Sequence, residues 1–411
     1  MYWIARTAFL WLLIALPVFA VQPPALSLYL DCPVCNLDHL RTTLPYLQFV
    51  NAPDACDVHV MASSQGAGGG GTQVTLLLLG RRQFLGMSDT LQVLIASEAT
   101  EILQQESIAQ ALSAGLVRFL LKTPLGANLR VVITQQTPSA TPSSAEDLWG
   151  GWIMRVSLNG SATAQQSLVN GSASGGLSLE RMGETWKAEI EGFMNYSESQ
   201  YSLSDTSTIT NIQRNYSLDG YAALSFGNHW SLGIFGGVTS SLYSNNRLHL
   251  TLEPAIEYNL FPYDQAVWRQ CRVVYRVGAG IAQYNTETIY DRTQETLLRQ
   301  SLNVAGELRE TWGSVGLSVL ALEYLNRSDA WRLQGNLYVA LRLVGRLSLT
   351  LSGNVAEIHD QLSLSKSGVS AAGVLLLREQ LATNYSAGAS FGISYILGAL
   401  GSSVVNPRFG R

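Results

Sequence analysis

From residue 149 to residue 395, apolar and polar side chains alternate in one segment after another. The clearest segment is 331–343. Its odd positions carry Trp331, Leu333, Gly335, Leu337, Val339, Leu341 and Leu343; its even positions carry Arg332, Gln334, Asn336, Tyr338, Ala340 and Arg342. Successive side chains of a strand point to opposite faces, so one face here is apolar and the other polar and charged. The same reading marks strands near 152–160, 172–181, 186–196, 213–226, 230–242, 248–260, 269–284, 298–310, 314–324, 346–359 and 383–395. A run of about a dozen such segments is how a transmembrane β-barrel is written, apolar toward lipid and polar toward a lumen.

The connections sharpen the picture. Those near Gly183, Gly227, Pro262, Trp312 and Gly345 read as tight, and those at 198–211, 285–295 and 360–381 as long. Outer-membrane barrels have short periplasmic turns and longer external loops, so both termini are expected in the periplasm and the strand count is even. Twelve fits; ten and fourteen remain open. Trp152, Trp186, Trp230, Tyr258, Trp268, Trp331 and Tyr395 lie near strand ends, where an interfacial girdle is expected. A soluble sandwich or barrel would alternate too, with its faces reversed. Strand lengths near the ~10 residues that a tilted membrane strand needs favour the membrane form.

The predicted inner face carries Glu253 and Glu257 on one strand and Arg272 and Arg276 on the next, an arrangement open to pairing across adjacent strands. Arg299, Glu307, Arg309, Arg332 and Arg342 complete the lumen-lining set, with Lys187, Glu189, Glu191, Asp219 and His249 elsewhere on the same face. A salt-bridged, filled lumen and a narrow pore favouring anions are both compatible with this set. An outer-membrane enzyme would need a nucleophile with a histidine at the membrane boundary. His229, His249 and His359 fall on different strands with no partner motif, so no catalytic residues are expected.

The N-terminal part is written differently. Residues 1–20 read as a secretory signal: Arg6, an apolar run at 9–16, Pro17, and small residues before a cleavage site. Residues 22–135 alternate element types and read as a small α/β domain. Strands are expected at 26–31, 56–62, 73–79, 91–96 and 129–133. Asn36 caps a short helix at 37–44, and a longer helix at 100–121 sets Ile108, Leu112, Leu116 and Phe119 on one side. The glycine run 66–71 lacks the Lys-Ser/Thr of a phosphate loop and reads as a hairpin tip. Residues 136–148, rich in Pro, Ser and Thr, are a linker to the barrel at 149–396. Residues 397–411 form a tail, either a plug or docking strand or a simple extension beyond an insertion signal at 391–395.

Cys32 and Cys35 flank Pro33 and Val34 where a strand meets a helix. In an oxidising periplasm the default is a structural disulfide between them. A redox pair, a metal site and free thiols stay open, although the surrounding order is not thioredoxin-like and the spacing of His39 and His59 matches no standard zinc module. No metal and no cofactor are called for. Charged residues make up 14% of the 411 and the net charge is −4, with Lys and Arg thinly spread, so no nucleic-acid partner is expected.

The stretch Asp31-Cys32-Pro33-Val34-Cys35-Asn36-Leu37-Asp38-His39-Leu40-Arg41-Thr42, the Ala55-Cys56-Asp57-Val58-His59-Val60 element, the glycine run, Gly115-Leu116-Val117-Arg118-Phe119 and the C-terminal Val405-Asn406-Pro407-Arg408-Phe409 together resemble a Bacteroidetes-type family of outer-membrane β-barrel proteins with an N-terminal, cysteine-containing periplasmic α/β domain. The resemblance implies a barrel-bearing envelope protein and no particular activity. By element order alone, the first domain is also similar to the N-terminal domain of the periplasmic Tol translocation protein, which implies partner docking.

The sequence therefore predicts an α+β chain: a small periplasmic α/β domain followed by an antiparallel transmembrane β-barrel of about twelve strands. The expected role is non-enzymatic: a narrow channel or transport component with a docking domain or, alternatively, a structural, partner-docking envelope protein with a closed barrel. Outer-membrane lipid and a periplasmic protein are the expected partners. Oligomeric state is not legible.

Overall fold

In a computed structural model the chain forms two units, described at residues 26–67, 71–97, 99–130, 149–183, 185–204, 207–343, 347–367 and 380–395. The predicted signal, the linker and the tail lie outside the described residues, as does most of the expected strand at 129–133.

The first unit is a five-stranded sheet with helices on one face. Its strands are β1 (Leu26–Asp31), β2 (Leu47–Phe49), β3 (Val58–Gly66), β4 (Thr72–Gly80) and β5 (Ser88–Ile95), in the order β2-β1-β3-β4-β5. β1 runs parallel to both β2 and β3, and the β3–β4–β5 pairs are antiparallel. Helix α1 (Leu37–Thr43) starts at Asn36, whose side chain accepts from the amides of Asp38 and His39. Helix α2 (Glu101–Leu120) starts at Thr100. Ile108, Leu112, Leu116 and Phe119 of α2 pack on Leu26 and Leu28 of β1, Val58 and Val60 of β3, and Val74, Leu76 and Leu78 of β4 in one buried core. The helix lies close to the sheet at Gly115, where an added Cβ would meet Leu91 at 2.3 Å.

The second unit is a twelve-stranded antiparallel meander in which each strand pairs with its neighbours in sequence. The strands are β6 (Ile153–Ala164), β7 (Leu168–Met182), β8 (Trp186–Ser204), β9 (Ser207–Phe226), β10 (Trp230–Ser241), β11 (Asn246–Asn259), β12 (Arg269–Tyr284), β13 (Gln294–Glu310), β14 (Gly313–Tyr324), β15 (Arg327–Arg342), β16 (Leu347–Ile358) and β17 (Tyr385–Tyr395). Among the described residues no ladder joins β17 to β6, so the barrel wall is open along that seam.

Two expected connections turn out differently. The stretch 198–211 is not a loop: the β8–β9 ladder runs on to Ser204↔Ser207. Its Ser, Thr and Asn content resembles a loop, but Tyr196, Tyr201, Ile209 and Ile212 keep it β-forming. β9 continues past β10, whose last partner on it is Asn215. The connection around Pro262 is not tight either, because a short 3-10 turn at Tyr263–Gln265 sits between β11 and β12.

Candidate functional site

Strand alternation places a row of inward side chains along the wall. In register, Glu189 faces Tyr221, Tyr221 faces Phe235, and Phe235 faces Glu253. Farther along the same row, Gly278 faces Arg299 and Arg299 faces Tyr324. The rings of Tyr221 and Phe235 stack with centroids 5.2 Å apart. A cation lies at each end of the stack: Lys187 5.2 Å from the Tyr221 ring and the Arg276 guanidinium 3.6 Å from that of Phe235. Lys187 also pairs with Glu189 at 2.8 Å.

Glu253, nearly fully buried, pairs with Arg299 two strands away rather than with an arginine of the adjacent β12. Gly278 explains the difference. It stands in the row between them, and an added Cβ there would meet the Leu252 carbonyl oxygen at 2.1 Å and the Glu253 Cα at 2.8 Å. The missing side chain opens the path by which Arg299 reaches over β12. Glu257 instead accepts from the Tyr263 hydroxyl at 3.3 Å, while Arg272 stands opposite Asn259.

At one end of the wall the N-terminal domain sits across the mouth. Even-numbered residues of β1 and β3 enter the domain core, so odd-numbered ones point away from the helices, and these meet the barrel. Arg342 pairs with Asp31 and lies 5.6 Å from the Tyr29 ring. Arg309 donates to the Ser63 hydroxyl at 2.6 Å and pairs with Glu307, also at 2.6 Å. Gly66, on the same hairpin, lies beside Met182 of β7. The domain therefore bridges from β7 to β13 and β15. Between domain and wall is a cavity of ≈ 450 Å³ lined by Asp31, Met61, Ser63, Trp268, Tyr338 and Arg342, among others.

His59 lies behind this contact, fully buried, edge-on to Tyr29 at 5.0 Å, and neither ring nitrogen has a hydrogen-bond partner. Burial pulls its pKa down to about 4, against the raising field of Asp31; Arg342 and Arg81 add to the lowering. Burial also raises the Tyr29 hydroxyl, a shift opposed by Arg342. It pushes the buried Cys56 thiol up to about 11. Cys32 and Cys35 are bonded to each other, their Cα atoms 5.4 Å apart. The loop they close is held by buried Gln105 of α2, which donates to the Val34 carbonyl at 2.9 Å and accepts from the Asn36 amide at 2.7 Å.

At the opposite mouth, loops 285–293 and 359–367 fold onto one another. Thr288 bridges to Ser365, and the Asn245 side chain donates to the carbonyls of Thr286 and Ser363 at 3.1 and 2.8 Å. Arg332 grips Asp360 through both carboxylate oxygens at 2.9–3.0 Å. Leu362 packs with Tyr284, Leu297 and Tyr324 in a small buried cluster.

Asp31, Ser63 and Asp360 were not legible as lumen partners, because each lies far in sequence from the arginine it meets. The odd-face positions of β1 and β3 were the available signal. Of the barrel histidines, His229 bonds the Asn259 carbonyl, His359 lies 3.3 Å from Glu357, and His249 is on a third strand.

No protein-family model matches the chain, and no curated protein does, so the Bacteroidetes-type resemblance has no support there. Among solved structures the chain is similar to the NanC porin in its rhombohedral crystal form, at 8% identity over 59% of this chain and 99% of that one, with a TM-score of 0.29. It is also similar to the β domain of the Bordetella autotransporter BrkA, at 10% identity over 50% and 90%, with a TM-score of 0.24. Likeness at that level carries no argument, and the fold rests on the strand ladders themselves.

Proposed function

We propose that the chain is a non-enzymatic outer-membrane β-barrel that conducts small polar solutes, and that its N-terminal domain gates the periplasmic mouth. The membrane reading is supported by the outer face. Val156, Leu158, Leu224, Leu232, Leu252, Leu317, Leu333 and Val355 are all exposed there, an apolar surface larger than soluble monomers carry. Trp186 and Trp230 near one rim and Trp331 near the other suit the two interfaces.

The gate reading is carried by one observation: lumen arginines, not an apolar seam, hold the domain over the mouth through Asp31 and Ser63. A polar interface of this kind permits relative motion where a large apolar one would not. The domain's remaining exposed surface is then free for a periplasmic protein partner.

Planar-bilayer recording of the full chain tests this. Wild-type protein should be mostly closed. Arg342→Glu, which faces Asp31 with a like charge, should raise open probability, and Arg342→Glu with Asp31→Arg should restore closure. Silence of the single variant, inserted and folded, would remove the gate at this mouth. A second reading, a closed scaffold, is favoured by the folded loops at the opposite mouth. It requires that Arg342→Glu combined with Asn245→Ala also remain silent.

A further inference from the structure

We propose that the lumen contains a binding site for small zwitterionic solutes, of which free amino acids are the simplest class. The inference deepens the conduit reading and rests on it. Inside the wall is a cavity of ≈ 180 Å³, room for about six waters at ~30 Å³ each and so for a solute of that size. Glycine opens its floor at one point: an added Cβ at Gly237 would strike the Asp219 carboxylate at 2.6 Å. A side chain is missing there, beside the carboxylate a ligand would approach.

The charges around this cavity are unevenly matched. Lys187 is taken by Glu189, and Arg299 by Glu253. Three more lining groups carry charge: Glu191, which shares a hydrogen bond with the Glu189 carboxyl, and Asp219, directly opposite it in register, on β8 and β9, and Arg276, near Glu253, on β12. Among the described residues none of the three makes an ion pair. Arg155 flanks the same two carboxylates from an adjoining cavity of ≈ 310 Å³. Arg276 sits over Phe235, its Cζ 3.6 Å from the ring centroid, a contact that restrains the guanidinium while its N–H groups can still meet a planar carboxylate.

An excess of negative charge on one wall and an arginine outside any ion pair on the other suit a solute carrying both signs. A simple anion would meet Glu191 and Asp219, and a simple cation would meet Arg276. A zwitterion's ammonium suits the carboxylates and its carboxylate suits Arg276, with both charges compensated in a partly desolvated site.

Isothermal titration calorimetry of the full chain in detergent, with L-glutamine, acetate and ethylammonium as probes, tests the proposal. Glutamine should bind, and both single-charge probes should bind at least about tenfold more weakly, the worth of one charge-assisted contact. Arg276→Gln and Glu191→Gln should each weaken glutamine by about tenfold. Heat-modifiable migration on gels reports barrel folding independently for every variant. The proposal is overturned if acetate or ethylammonium binds as tightly as glutamine, if folded variants bind glutamine like wild type, or if folded wild-type protein gives no glutamine heat. A chain that never shows heat-modifiable migration overturns the barrel reading together with the site.

Discussion

His59 offers a test of how the N-terminal domain is held together and against the barrel. The ring is neutral where it lies, with its pKa lowered from 6.5 to about 4 by burial. Above pH 6.5 both the closed and the opened forms hold it neutral, and it costs nothing. Below 6.5 the opened form takes up a proton that the closed form refuses, so stability falls as pH falls and levels off only below about 4. At about 1.4 kcal/mol per tenfold, the loss is about 2 kcal/mol at pH 5 and about 3 kcal/mol at pH 4. The groups facing the ring are Tyr29 and Asp31 from β1, Arg342 from β15 and Arg81. His59→Phe keeps a ring against Tyr29 and removes the proton. Hydrogen exchange of the β3 amides in the full chain, corrected for intrinsic rates, reads the opening free energy at each pH. Wild type should lose about 3 kcal/mol of protection between pH 7 and pH 4, and His59→Phe, with no imidazole to protonate, should lose little of it. An equal acid loss in His59→Phe, or flat protection in wild type, would refute the reasoning.

Two further outcomes follow from the barrel. Gly278→Leu should abolish or sharply reduce heat-modifiable barrel, because a side chain there collides with the Leu252 carbonyl and blocks the Arg299–Glu253 pair; a variant that folds like wild type would show that the close approach is not needed. Asn245→Ala removes four side-chain hydrogen bonds that join Asn245 to loops 285–293 and 359–367 and should cost about 1–3 kcal/mol of loop closure, visible as faster protease cleavage within those loops on intact cells.

The twelve strands were legible because each needs only its own alternation, and a period of two survives without knowledge of any neighbour. Segment 269–284 even matches its strand end for end. The hairpin at 198–211 was missed because composition outweighed period: serines and threonines hid a ladder kept regular by Tyr201 and Ile209. β2 escaped because three residues carry no period. On the charged side of the wall, which residues share a face was readable and which pair with one another was not. Strand faces bring Glu253 and Arg299 to the same side, but their pairing depends on an absent side chain at Gly278. Likewise, Val58 and Val60 announced the domain's core, whereas His59, Met61 and Ser63 belong to a face that only the barrel explains.

The contacts that seat the domain on the mouth also set an order of events. Ser63 and Arg309 are separated by 246 residues, and Asp31 finds its arginine on a strand still later in the chain. Contacts so distant in sequence form late, after the intervening elements have closed the distance. The domain has a hydrophobic core of its own, yet the arginines that seat it are not available until β13 and β15 are in the wall. Its seating is therefore a record that the wall has been built.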